Sequence, residues 1–229
     1  MVMEISIILV NPQMPENIGG AARAMLNFGL TDLRVVNPRD KFPCEKSIAI
    51  ATHAHEVVKN AGIYNSLSDA SHDLQQLFAT TARKRDMVKQ VVTPKTLPKY
   101  ATQQKIGIVF GGENSGLTNA DVSLCDYILN IPANTQYNSI NLAQAVLLIG
   151  YELWNSKLSG TRPQRQAASK DELSNFFIKL EQRLDDANFF QTPDKKPKML
   201  DNIRNIFSRG QLTSQEIRTL HGIMSALDK

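Results

Sequence analysis

Apolar and polar positions alternate along this chain in blocks. Short, nearly unbroken apolar runs lie at 4–10 (EISIILV), 33–37 (LRVVN), 76–81 (QLFATT), 105–111 (KIGIVFG) and 127–131 (YILNI). Runs of that length, rich in Ile and Val and bounded by Asn, Pro or Gly, predict strands buried on both faces, as in a parallel sheet. Between them the apolar positions fall at helical spacing. Residues 16–28 put Ile18, Ala21, Ala22, Met25 and Leu26 on one face and stop at Gly29. Helical stretches are also predicted over 46–60, 66–75, 118–124 and 139–154, with a short helical turn at 95–102 and a short strand at 63–65. Ser66 with Asp69, and Thr118 with Asp121, have the spacing of capping pairs. Residues 84–94 read as a loop. Alternating strands and helices predict an α/β domain with a mostly parallel sheet. Such sheets bind ligands at the carboxyl ends of their strands. The Gly-, Asn-, Ser- and Thr-rich loops follow Val10, Phe78, Phe110 and Ile131, which are such ends.

One junction stands out. The apolar run at 127–132 stops at Pro132. A polar loop with Asn134, Gln136, Asn138, Ser139 and Asn141 then runs into the helical pattern of Leu142, Ala145, Val146 and Ile149. Strand end, polar loop and helix start meet there. The first backbone N–H groups of a helix have no intrahelical partner, so the junction suits a small polar ligand.

The pattern changes at Ser156. Residues 156–169 (SKLSGTRPQRQAAS) are polar and carry Gly and Pro, as a linker does. Ser169 with Glu172 and Thr213 with Glu216 are capping boxes, and helices are predicted over 170–186, 198–207 and 213–227. Phe176, Phe177, Leu180, Leu184, Phe207, Leu220 and Ile223 are expected to form a small helical module. The domains expected are therefore 1–155, a linker 156–169 and a module 170–229.

Composition adds three constraints. The 229 residues are 42% hydrophobic, enough for one domain and a small appendage, yet no run approaches the roughly 18 apolar residues of a membrane span. The N-terminus lacks a basic region and reads as a strand, not a signal peptide. Two distant cysteines without CxxC spacing fit a reduced, cytoplasmic protein with no disulfide framework. The net charge is +4. Residues 1–155 balance at 13 basic and 13 acidic residues, whereas 156–229 hold 13 against 9, so the surplus sits in the last third. A basic appendage on a neutral domain points to a polyanion or to an ordinary solvated helical surface.

The candidate chemistry lies in the loops. Asn17-Ile-Gly-Gly-Ala-Ala-Arg23 opens a helix, where Asn17 and Gly19 are expected to expose backbone donors and Arg23 stands about one and a half turns further on. Gly111-Gly-Glu-Asn-Ser-Gly-Leu117 must turn sharply or approach something closely, and it carries one acid, Glu113. It is neither GxGxxG nor a phosphate-binding GK[ST] loop. Thr80-Thr-Ala-Arg-Lys-Arg85 offers small hydroxyls for a ligand floor and cations for phosphate. His53, His55 and Glu56 do not form a metal site, because i and i+2 do not share a helix face and no further ligand is at hand. No GxSxG elbow is present.

Together, Asn17-x-Gly-x-x-x-Arg23, Gly111-x-Glu113-x-x-Gly116-Leu117, and Ile131-Pro132 followed by Ser139-x-Asn141 resemble, in order and spacing, the three motifs of the SPOUT-class RNA 2′-O-ribose methyltransferases of the TrmH/SpoU type. The resemblance covers roughly residues 4–155. Thr80-Thr-Ala-Arg83, the linker and the C-terminal helices are further similar to the TrmJ group, which methylates nucleotide 32 of tRNA. This resemblance implies an α/β SPOUT fold with a deep C-terminal trefoil knot, S-adenosylmethionine as cofactor, a homodimer, and tRNA as partner, with no metal and no membrane. Carried over by position, cofactor contacts fall on Thr80, Thr81, Ala82, Gly111, Ile131, Asn138, Ser139 and Ile140. Catalytic positions fall on Arg23, with Asn17, Glu113, Ser139 and Asn141 in support. Two other readings stay open: methylation of rRNA or another tRNA position, and an RNA-binding protein that keeps the fold without catalysis.

Overall fold

The strand β1 (Glu4–Val10) sits at the middle of the molecule because both its faces are apolar. Ile5, Ile7 and Leu9 point into one buried cluster, Ile8 and Val10 into another. The computed structural model describes residues 4–83, 87–157 and 167–227. In chain order, β1 is followed by α1 (Pro15–Leu26), β2 (Asp32–Val36), α2 (Glu45–Ala51), α3 (His55–Lys59), β3 (Gly62–Tyr64), α4 (Leu67–Ser71), β4 (Gln76–Thr80) and β5 (Gln90–Val92). Then come α5 (Leu97–Tyr100), β6 (Lys105–Gly111), α6 (Asn119–Leu124), β7 (Tyr127–Leu129), α7 (Leu142–Lys157), α8 (Lys170–Asp186), α9 (Lys196–Arg209) and α10 (Ser214–Leu227).

The sheet runs β3-β2-β1-β6-β4-β7-β5, and every described pair is parallel. Helices cover both faces. α1, α2, α3 and α7 pack against one face, while Leu67, Ala70 and Val122 of α4 and α6 pack against the other. The chain moves from β1 to one edge through β2 and β3, then crosses to the far side for β4. That reversal lies at β1, β6 and β4, which is where such sheets open a crevice at their carboxyl ends.

Several boundaries differ from expectation, each for a local reason. The segment 46–60 is interrupted at Thr52, whose φ of 49° breaks the helix into α2, a 3-10 turn and α3. β5 falls inside the segment expected as loop; it is three residues long, and its only buried side chain is Val92, so it leaves no alternating signature. The helix expected from 139 begins at Leu142. Asn141 stops it there, since its Oδ1 accepts the N–H groups of Ala143 (3.0 Å) and Gln144 (3.4 Å). The capping pairs at Ser66, Thr118, Ser169 and Thr213 form as their spacing predicts.

α8, α9 and α10 enclose Leu173, Phe176, Phe177 and Ile217, with the rings of Phe176 and Phe207 edge to face at 4.9 Å. Ile223 is exposed instead of joining them, because α10 turns Ile217, Leu220 and Met224 inward. These helices are also fastened to the sheet unit. Lys170 N–H donates to Leu74 O at 2.6 Å, and Ala167 N–H to Gln103 Oε1 at 2.6 Å. Most of the expected linker, 158–166, lies outside the described residues.

Candidate active site

At the carboxyl edge Val10 of β1 stands beside Gly111 of β6, and Thr80 of β4 beside Leu129 of β7. The loops that leave these strands therefore share one rim. The loop after β6 doubles back on itself. Gly116 N–H donates to Gly112 O at 2.8 Å, and Gly116 has φ +65°. A Cβ on Gly111 would lie 2.2 Å from the backbone of Gly116 and Leu117, and one on Gly112 would lie 2.3 Å from Asn11 O. Only glycine permits both approaches, and the result is that Glu113 stands at the tip of the turn.

Glu113 is then gripped from two sides. Its Oε1 accepts Asn17 Nδ2 at 2.5 Å, and its Oε2 accepts the backbone N–H of Gln13 at 2.8 Å. Asn17 in turn accepts Asn141 Nδ2 at 3.5 Å, a long contact. Glu113, Asn17 and Asn141 thus form one chain of hydrogen bonds across three separate segments. Arg23 does not join it. Six positions along α1 rotate it about 120° from Asn17, and it is exposed, with no hydrogen bond or ion pair from its guanidinium among the described residues. Gly20 lies between the two on the helix surface, and a Cβ there would meet Ala143 Cβ at 3.1 Å, so the first turn of α7 packs at that point. Gly19 has another role than the one expected. It lies inside α1, and a Cβ on it would sit 2.3 Å from Ser47 O, so this glycine lets α1 and α2 pack together and exposes no donor.

The eight cofactor candidates come from the ends of three adjacent strands, β6, β4 and β7. Thr80 Oγ1 donates to Val109 O at 2.8 Å, while Thr81 N–H donates to Leu129 O and Thr81 O accepts Asn130 Nδ2 at 3.0 Å. Ala82 is exposed beside them, and Lys84 and Arg85 lie outside the described residues. Past β7, Asn134 closes a tight turn by accepting Tyr137 N–H at 3.0 Å. Among the described residues, the backbone groups of Asn138, Ser139 and Ile140 and the Ser139 hydroxyl have no hydrogen-bond partner. Ile131 and Ile140 are half-buried against the core. The donors expected at the start of α7 are different, since Asn141 already takes them.

Below the rim, Lys89 leads into β5. It is buried, and its Nζ donates to Ser123 O at 3.2 Å and to Cys125 O. Burial pulls its ammonium down to about 8. Burial pushes the Cys125 thiol up to about 12, so that cysteine is an inert packing group. Among the described residues no group of three or more His, Cys, Asp or Glu is placed to hold a metal, and no helix is long and apolar enough to cross a membrane.

Gln13, Asn130 and the pair Asn11 and Asn37 were not singled out from the sequence. The last pair had a signal: Val10-Asn-Pro12 and Val36-Asn-Pro38 repeat at the ends of neighbouring strands. Both asparagines have positive φ, 50° and 46°, and Asn37 Nδ2 donates to Asn11 Oδ1 at 2.9 Å.

Residues 4–151 match the SpoU rRNA Methylase family, and residues 171–229 match the C-terminal domain of tRNA methyltransferase TrmJ. The chain belongs to the SpoU methylase family. Its full length is 34% identical, over 239 residues and 98% of the relative, to tRNA (cytidine/uridine-2′-O-)-methyltransferase TrmJ of Photorhabdus laumondii. The crystal structure of TrmJ from Z. mobilis ZM4 matches with a TM-score of 0.91 at 39% identity, over 98% of this chain and 99% of that one. The SpoU methyltransferase AviRb of Streptomyces viridochromogenes, in complex with AdoMet, matches at TM-score 0.57 and 24% identity over 70% of this chain and 63% of that one, a likeness of fold. The family implied by the three motifs is thus the right one, and the similarity to the TrmJ group extends through the C-terminal helices.

Proposed function

We propose that this SpoU-family chain methylates a ribose 2′-hydroxyl of tRNA, at cytidine or uridine 32 of the anticodon loop, with S-adenosylmethionine as methyl donor. The observation that carries this reading is the linkage of Glu113, Asn17 and Asn141 at the mouth of the β1/β6/β4 crevice, one residue from each motif. The TrmJ names of full-length relatives support tRNA and the pyrimidine preference.

The residues fit the cofactor. Unpartnered backbone groups at 138–140 match the donors and acceptors of an adenosine, and half-buried Ile131 and Ile140 offer an apolar wall. Thr80, Thr81, Ala82 and Gly111 would complete the floor. S-adenosylmethionine supplies a methyl group on a positively charged sulfur. The protein must align a ribose oxygen with it, and orientation of this kind lowers a barrier by up to about 7–11 kcal/mol. A guanidinium carries donors and no acceptor, so Arg23 acts by stabilising negative charge on the ribose oxygen and by gripping a phosphate. Glu113 fixes Asn17 and the Gln13 turn. Asn141 and the free Ser139 hydroxyl face the ribose.

The same reading assigns 1–155 to the methyltransferase domain, 156–169 to a linker and 170–229 to a tRNA-binding module. It includes a trefoil knot. In support, β7 inserts between β4 and β5, and the chain then crosses back to α1 through α7. It also includes a homodimer, supported by the exposed Leu147, Leu148 and Tyr151 of α7. Free cysteines and a tRNA substrate fit work in the cytoplasm.

The test is transfer of label from S-adenosylmethionine to purified tRNA and rRNA, with the modified nucleotide mapped. Label at nucleotide 32 of tRNA, lost in Arg23→Ala, is the expected result. Label in rRNA or elsewhere in tRNA changes the substrate, and binding without transfer makes the chain an RNA-binding protein.

A further inference from the structure

We propose that Arg39 is a second RNA-contacting guanidinium of this site, binding a phosphate of the substrate strand, and that Gln13 is its positioning residue. The inference rests on the functional reading above and adds a strand-positioning element outside all three motifs. Arg39 lies in the loop after β2, and it is exposed. Among the described residues its guanidinium pairs with no carboxylate; its neighbour Asp40 forms no ion pair with it. Among the described residues its one partner is Gln13 Oε1, at 3.4 Å.

That partner belongs to the site. The backbone N–H of Gln13 donates to Glu113 Oε2, the same carboxylate that holds Asn17. The Gln13 amide is set from its other end as well, since Nε2 donates to Asn11 O at 3.4 Å. The loop that bears Arg39 is pinned to the same turn. Arg39 N–H donates to Pro12 O at 3.2 Å, and two residues earlier Asn37 is tied to Asn11. The guanidinium is therefore tethered to the Glu113 network through a neutral amide, which leaves its charge unneutralised. Among the described residues the carboxylate at the centre of that network is met by two neutral donors, Asn17 Nδ2 and the Gln13 N–H. A polyanionic strand entering there needs fixed positive charge at the rim, and a guanidinium offers planar donors suited to phosphate. Arg39 supplies such a charge at the rim.

The experiment is steady-state methyl transfer to tRNA by the full-length protein, with Arg39→Ala, Arg39→Lys, Gln13→Ala and the Gln13→Ala/Arg39→Ala double variant. Arg39→Ala is expected to raise the KM for tRNA about tenfold at moderate salt and to flatten the dependence of log KM on log salt by roughly 0.7, the share of one single-strand phosphate. kcat at saturating tRNA and the KM for S-adenosylmethionine should stay within about twofold. Arg39→Lys should keep the salt dependence of the wild type. Gln13→Ala should act in the same direction but less, and the double variant should be no worse than Arg39→Ala alone. An unchanged tRNA KM and salt slope in Arg39→Ala would overturn the proposal, as would an equal loss toward both substrates. A silent Gln13→Ala would overturn the positioning role. Absence of transfer by the wild type removes the functional reading, and this inference with it; an active wild type with an indifferent Arg39→Ala removes only the inference.

Discussion

Lys170 Nζ lies 2.6 Å from Asp126 Oδ2, and both side chains are buried. The pair joins the first residue of α8 to the residue before β7, so it fastens the C-terminal helices to the sheet. Asp126 also accepts the N–H of Leu77 at 2.6 Å. Removing the cation strands a buried carboxylate. Lys170→Met should therefore lower unfolding stability by about 3–5 kcal/mol. Asp126→Asn in that background should recover part of the loss, since the amide oxygen still accepts from Leu77. Urea unfolding monitored by circular dichroism reads both, and an unaffected Lys170→Met would remove the pair's structural importance.

Glu113 and Asn17 should behave as one unit. Either alanine substitution frees the Gly111–Leu117 turn or the start of α1, and misplacement on this scale costs on the order of 10²-fold in rate. The double variant should lose little more than the worse single one. Single-turnover methyl transfer measures the three, and fully multiplicative losses would show that the two residues work independently.

Lys89 gives a pH dependence with an unusual sign. Its ammonium titrates near 8 in the folded protein and near 10.5 when unfolded, because burial disfavours the charge. Between those values the unfolded chain binds the extra proton, so Lys89 makes stability rise with pH. The Cys125 thiol and the Tyr127 phenol, both pushed up to about 12 by burial, act oppositely once pH passes their ordinary values of 9.0 and 10.0. The net gain is thus confined to roughly pH 8–9, at about 1 kcal/mol. Lys89→Met should abolish that rise in the urea midpoint; the same slope in the variant would assign it to another group.

The exposed stripe on α7 should be covered in solution. Leu148→Glu places a charge on it and should convert a dimer into monomers, read by light scattering on a sizing column. A dimer that survives the substitution would locate the contact elsewhere.

Much of the fold was legible because its signals are local. Buried parallel strands show as apolar runs, and helix starts show as Ser or Thr with an acid three residues on. β5 was not legible, since a three-residue edge strand exists only through its pairing with β7. The contact of Gly19 with Ser47 O was hidden for the same reason: a glycine required by a neighbouring helix looks like a glycine required by a ligand. In the site, the motifs named Asn17, Glu113 and Asn141 in advance, but spacing alone says nothing of which atoms meet. The helical phase of Arg23 relative to Asn17 was available from residue numbers. The bond from Gln13 to Glu113 was not, because Gln13 makes it through its backbone.

Asn141 ends one story and begins another. Its Oδ1 starts α7, and its Nδ2 reaches Asn17, 124 positions earlier. The last helix of the sheet unit and the hydrogen-bonded centre of the site therefore depend on one side chain. Residues before 141 include β1, β6 and β7 but neither the start of α7 nor the third member of the Glu113–Asn17 linkage. One substitution at Asn141 therefore disturbs the helix start and the site together.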